Sequence, residues 1–102
     1  MNTIPKFPIR GQGQTISITV SGKVQGVFYR QSAKEKASKL GLTGQVKNLR
    51  DGNVHIIATG TQEQLAAFTD WCKKVPPRAL VAGVEIIELP LKQFECFTIA
   101  RF

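Results

Sequence analysis

From Thr15 to Ser21 apolar and polar residues alternate without a break: Ile16, Ile18 and Val20 share one side, Thr15, Ser17, Thr19 and Ser21 the other. A period of two marks a strand with one buried face. The period then changes. After a short loop from Gly22 to Gly26, Tyr29, Ala33, Ala37 and Leu40 recur at helical spacing, Lys34, Lys36 and Lys39 lie mainly on the other side, and Gly41 is a natural C-terminal stop. A second strand is predicted over Thr43–Leu49. Arg50-Asp51-Gly52-Asn53 supplies turn chemistry, since Asp-Gly is a strong short-range hairpin signal. A third strand, Val54–Thr59, puts Val54, Ile56 and Ala58 on one face, and Gly60 ends it.

Thr61 has the position of an N-cap, and Gln64, three residues later, completes a capping box. Leu65, Phe68, Cys72 and Val75 form the apolar stripe of a second helix, Lys73 and Lys74 suit its C-terminal end, and Pro76-Pro77 stops it. A fourth strand is predicted over Ala82–Leu89, and after Pro90 a final extended segment, Phe94–Arg101, carries Phe97 and Ile99. The order β-α-β-β-α-β, with a terminal extended piece, predicts an α+β chain: a ferredoxin-like sandwich with an antiparallel sheet and both helices on one face. Residues 1–14 hold Pro5, Pro8, Gly11 and Gly13 among basic and polar residues and read as a flexible arm, on which Ile4, Phe7 and Ile9 are isolated apolar positions. The domain proper is expected over 15–102.

Composition narrows the function classes. A chain of 102 residues fits one domain, and 42% hydrophobic with 21% charged residues is an ordinary globular balance. No stretch approaches the roughly 20 apolar residues needed to cross a bilayer. Met1–Gln14 has no continuous apolar core of a secretory signal, so the expected compartment is the cytoplasm. Cys72 and Cys96 show no C-x-x-C spacing and no nearby histidine, which speaks against zinc. Two free thiols are expected in a reducing compartment, with a disulfide between them left open by sequence. The net charge of +7 favours an anionic partner: nucleic acid, a membrane surface or a small phosphorylated molecule. For charge alone, a solvated basic surface is the commoner reading.

The segment Ser21-Gly22-Lys23-Val24-Gln25-Gly26-Val27-Phe28-Tyr29-Arg30 carries the strongest chemical signal. A glycine-bounded loop at a helix N-terminus offers unpaired N–H groups, and the helix dipole adds positive charge, so the two together cradle an anion. Arg30 falls in the first helical turn. Its side chain leans back toward the N-terminus and can present a planar, always-charged fork to a phosphate. By local pattern alone, a tight strand-to-helix turn followed by a surface arginine is the commoner arrangement. Asn48, at the end of the second strand, has an amide that both donates and accepts and could hold a water; alone it is a residue flanking a hairpin. His55, the one histidine, alternates with Val54 and Ile56 and is read as an ordinary strand residue rather than a base. No Ser-His-Asp, Cys-His or paired-carboxylate arrangement is apparent.

Gly22 to Arg30 resembles the acylphosphatase signature G-x-V-Q-G-V-x-[FY]-R. Gly44-Gln45-Val46-Lys47-Asn48, followed by Gly52-Asn53-Val54 and Gly60, is similar to that family's second signature. The resemblance extends over about Ile16 to Arg101. One departure stands inside it: the second motif usually has an aromatic after its first glycine, where this chain has Gln45. The resemblance implies an acylphosphatase, a metal-independent enzyme that hydrolyses small-molecule acyl phosphates to a carboxylate and inorganic phosphate. It implies that Arg30 holds the substrate phosphate, helped by backbone N–H groups of the loop Gly22, Lys23, Val24, Gln25, Gly26, Val27 and Phe28. It further implies that Asn48 positions the attacking water. No metal or organic cofactor, no nucleic acid and no membrane are expected, and a monomer is.

The same element order occurs in RNA-binding RRM domains, which need exposed stacking aromatics on their central strands. Neither Thr15–Ser21 nor Asn53–Thr59 carries one. A catalytically silent domain of the same family, acting as an interaction module, is a third reading, against which Arg30 and Asn48 both stand.

Overall fold

The alternating segment forms strand β1, Gln14–Lys23, whose Ile16, Ile18 and Val20 are buried. It is followed by helix α1 (Tyr29–Lys39), strands β2 (Thr43–Asn48) and β3 (Val54–Gly60), helix α2 (Gln62–Lys74), and strands β4 (Leu80–Leu89) and β5 (Phe97–Ile99). The computed structural model describes residues 13–25, 29–74 and 80–100. Residues 1–12 of the arm expected over 1–14, and the stop at Val75, Pro76 and Pro77, lie outside the described residues.

The strands make one sheet in the order β4-β1-β3-β2-β5. The register places Ile16, Ile18 and Val20 opposite Ala58, Ile56 and Val54, and Val46 opposite Ile56. Opposed residues point to the same face, so these aliphatics form one apolar surface. Both helices cover it, α1 over β2 and β5, α2 over β4, β3 and β1. The predicted α+β ferredoxin-like class is the one formed. The terminal extended piece joins the sheet as β5, parallel to β2, with Gly44, Val46 and their neighbours opposite Phe97 to Ile99. The sheet is therefore mixed rather than purely antiparallel.

The helix ends follow the sequence chemistry. The Gln64 backbone N–H donates to Thr61 Oγ1 at 3.1 Å, and the Thr61 N–H donates to Gln64 Oε1 at 2.8 Å, a closed capping box. At the end of α1, Gly41 has φ +83°; its N–H donates to the Ser38 carbonyl and that of Leu42 to the Ala37 carbonyl, the pattern of a Schellman stop. Between the helices, Tyr29 Oη donates to the Cys72 carbonyl at 2.8 Å. Trp71 packs on Tyr29 and Phe68, and Phe68 meets Phe97 edge-on.

Several boundaries differ from expectation. Gly13 and Gln14, read as arm, lie against the domain: Gly13 is buried, and Gln14 pairs with Gly60 and donates to Glu88 at 2.9 Å. Gly22 and Lys23, read as loop, continue β1 beside Val81 and Leu80 past a bulge between Ser21 and Gly22. That bulge takes a φ of +120° at Gly22, which re-aims the strand without ending it. On the face away from the helices, Thr15 and Thr59 bond to one another at 2.7 Å and to the backbone of Lys92, so the β4–β5 connection is pinned across that face. The edge strand β4 exposes Ile86 and Ile87, bracketed by exposed Glu85 and Glu88. Among the described residues no helix is long and apolar enough to cross a membrane.

Two glycines with positive φ separate two costs. Gly44 has φ +144°, and a Cβ there would overlap the Ile57 carbonyl, whereas Gly52 has φ +96° with open space around it. Gly44→Ala is expected to lose about 2–4 kcal/mol, combining the backbone penalty with overpacking, and Gly52→Ala about 1–2 kcal/mol from the backbone alone. Urea unfolding midpoints at unchanged m-value check both; equal losses would show that the contact with Ile57 is relieved by movement.

Candidate active site

Asn48 is the last residue of β2 and lies opposite Val54, which in turn lies opposite Val20. One row thus crosses the sheet from β1 through β3 to β2. Val20 and Val54 are buried beneath the helices, and the alternation places Asn48 on the same face. Its Oδ1 is buried and has no hydrogen-bond partner among the described residues. A buried acceptor left unpaired costs about 1–3 kcal/mol, so this oxygen is poised to accept a bond from a group that enters the site.

α1 begins at the same end of the sheet. It follows β1 and packs back over β2, so its first turn lies where β1 and β2 finish. Tyr29 is buried and tied to α2, and Arg30 is half-buried beside it. The first turn holds no acidic residue, so nothing from the helix itself offsets the positive end of its dipole. Arg30 and Asn48, 18 positions apart in sequence, are thereby carried to one end of the sandwich on the helix-covered side.

The connecting loop divides into three parts. Gly22 and Lys23 are exposed and belong to β1, not to the loop as expected. Val24 is fully buried and anchors the chain in the core. Gln25 turns its side chain to the β2–β3 turn: Nε2 donates to the Leu49 and Asn53 carbonyls, each at 2.8 Å. Gly26, Val27 and Phe28 lie outside the described residues. Sequence reasoning took Gln25 only as a backbone contributor. No spacing signal links it to Leu49 and Asn53, because their part is played by main-chain carbonyls.

Groups that sequence reasoning set aside sit elsewhere. Gln45, where the related motif has an aromatic, points to the face opposite Asn48, across from Ile57 and Thr98. Cys72 is buried, and burial pushes its thiol up to about 12, so it is no nucleophile near neutrality. Burial raises the Tyr29 phenol as well, with a further contribution from Cys72. Among the described residues no group of three or more His, Cys, Asp or Glu side chains is placed to hold a metal ion.

The pattern of the Acylphosphatase family matches residues 16–99 of this chain. The chain belongs to the acylphosphatase family. It is 54% identical over 76 residues to the acylphosphatase of Marinobacter nauticus, covering 74% of this chain and 83% of that one. It is 45% identical over 87 residues to the acylphosphatase of Methylococcus capsulatus, covering 84% and 95%. The structure of an acylphosphatase from Coxiella burnetii superposes with a TM-score of 0.84 at 40% identity, covering 87% of this chain and 94% of that one. Within this family fold, the described loop residues and Asn48 occupy the end of the sheet at which α1 begins.

His55 is on the open face, between Thr19 of β1 and Lys47 of β2, with Glu85 of β4 opposite Thr19. Burial, then the Lys47 ammonium, lower its pKa from 6.5. The unfolded chain therefore takes up the proton first as pH falls, and stability declines below about 6.5. His55→Gln is expected to flatten the dependence of the unfolding midpoint on pH between 7 and 5 while leaving turnover intact. A flat wild-type profile would contradict the depressed pKa, and a turnover loss would bring His55 into the site.

Proposed function

We propose that this chain hydrolyses small-molecule acyl phosphates to a carboxylate and inorganic phosphate, with Arg30 binding the phosphate and Asn48 orienting the attacking water. The observation that carries the reading is the buried Oδ1 of Asn48, without a hydrogen-bond partner among the described residues, at the end of the sandwich where α1 begins with Tyr29 and Arg30. An oxygen acceptor of this kind accepts a hydrogen bond from a water and so aims that water's lone pair. The guanidinium fork of Arg30 meets two phosphate oxygens at once, and the N–H groups before α1 add further donors.

The chemistry asks little covalent work of the protein. The water oxygen bonds to phosphorus while the bond from phosphorus to the acyl oxygen breaks, and the bonding pair leaves on the carboxylate. That leaving group is the conjugate base of an acid with a pKa of about 4, so it departs without a proton donor. The proton lost by the water passes to a phosphate oxygen. Positioning and charge stabilisation account for such a reaction. On this reading the reaction needs no metal, and neither nucleic acid nor a membrane is a partner. The cytoplasmic setting and the monomeric state belong to the same proposal; the free thiols of Cys72 and Cys96 suit a reducing compartment.

The test is hydrolysis of benzoyl phosphate in the presence of a chelator by wild type and by folded Arg30 and Asn48 variants. Wild type is expected to turn over, and Arg30→Ala to abolish turnover. Arg30→Lys should fail nearly as badly, because an ammonium cannot make the two-pronged contact. Asn48→Ala should lose on the order of 10²–10³ in kcat, as for removal of one preorganised polar group. No turnover by folded wild type would end the enzyme reading. Normal kinetics for Arg30→Lys or Asn48→Ala would remove that residue from its role.

A further inference from the structure

We propose that Gln25 is a positioning residue: its side-chain amide latches the loop leading to Arg30 onto the turn that follows Asn48, and so sets the distance between phosphate and water. The proposal rests on the function proposed above and adds a residue role to it. An amide NH₂ has two hydrogens, and both are used, on Leu49 O and Asn53 O at 2.8 Å each. Each of those carbonyls also accepts a backbone bond, Leu49 O from Gly52 N at 3.2 Å and Asn53 O from Leu49 N at 2.8 Å. The Asp51 carboxylate ties the turn from its other side, accepting from Asn53 N and Nδ2. The turn is closed from within by Asp51 and from outside by Gln25.

The placement explains why a latch is wanted there. The β2–β3 ladder ends at the Asn48–Val54 pair, and beyond it the hairpin is crossed by two backbone bonds, Leu49 N–H to the Asn53 carbonyl and Gly52 N–H to the Leu49 carbonyl. Leu49, the next residue, is fixed at both its N–H and its carbonyl by this network. On the other side, Val24 is buried in the core and Gln25 lies five positions before Arg30. One side chain thus joins the two segments that carry the two proposed ligands. A misplacement of about 1 Å costs on the order of 10² in rate, which is the scale on which such a latch acts.

Gln25→Met removes both donors at similar length and leaves each carbonyl one backbone partner, so the fold is expected to survive. Its kcat for benzoyl phosphate should fall about 10–100-fold, while inhibition by inorganic phosphate shifts less than about 3-fold. Gln25→Glu sets a carboxylate against two carbonyl oxygens. Its kcat relative to wild type should be lowest near neutrality and recover on acidification, as the protonated carboxyl regains one donor; a role in stability alone predicts no such rise. A readout independent of turnover is titration with inorganic phosphate followed by amide resonances. In wild type both the Arg30 backbone amide and the Asn48 side-chain amide should shift; in Gln25→Met only Arg30 should. A Gln25→Met variant with wild-type kcat and both shifts overturns the latch and leaves the proposed function standing. Loss of phosphate binding in step with kcat also overturns it, since Gln25 would then serve the cradle itself. Wild type that neither hydrolyses nor shifts overturns the proposed function and the latch with it.

Discussion

The register of β3 between its two neighbours is the constraint on which the rest depends. Val54, Ile56 and Ala58 are fully buried, and each fixes a partner on β1 and β2. Burial of a valine or isoleucine side chain contributes about 1.5–3 kcal/mol, and a slip of one residue would turn all three residues to the open face at once. The same register that buries Val54 sets Asn48 on the helix-covered side. The side chain proposed to hold water is therefore positioned by the hydrophobic core, and a polar residue is kept half-buried because its aliphatic neighbours leave it no other face.

The helix layer adds the second half of the site by a different means. The apolar stripe of α1 is thin, with Tyr29, Ala33 and Ala37 as its buried residues. Alanines allow close approach to the sheet but specify little about rotation. Tyr29 supplies the specification, through its bond to the Cys72 carbonyl and its contact with Trp71. Arg30 follows directly, so the orientation of its turn is inherited from an aromatic residue locked between two helices.

Most of the fold was legible because its signals are local. Alternation in β1 and β3, the Thr61–Gln64 box and the Gly41 stop each state their structure within a few residues. The extension of β1 through Gly22 and Lys23 was not legible, because glycine in a strand and glycine in a loop look alike until β4 is seen beside them. The parallel pairing of β5 with β2 was hidden for a similar reason: three residues carry no period, and their partner lies some 50 positions away. Of the candidate site, Arg30 and Asn48 stood out only through the two motifs that hold them, since by local pattern alone each is an ordinary surface or hairpin residue. The contacts of Gln25 could not, since their acceptors are main-chain carbonyls that any residue would provide. Residues 1–12 of the expected arm and residues 26–28 lie outside the described residues.

The edge strand β4 has a consequence for how copies of the chain meet. Its outer side is uncovered among the described residues, and Ile86 and Ile87, in its C-terminal half, are 45% and 50% exposed. Glu85 lies opposite Thr19 and Ile87 opposite Ser17 on the open face, Ile86 opposite Ile18 and Glu88 opposite Ile16 on the helix-covered face, so each face of this edge carries one isoleucine and one carboxylate. Charged side chains along an exposed edge disfavour its pairing with another strand. The sequence Glu-Ile-Ile-Glu thus encloses an adhesive pair within a repulsive frame. A second strand joining here would have to draw both carboxylates out of water, a cost that falls on the rim of the sheet and not on its core.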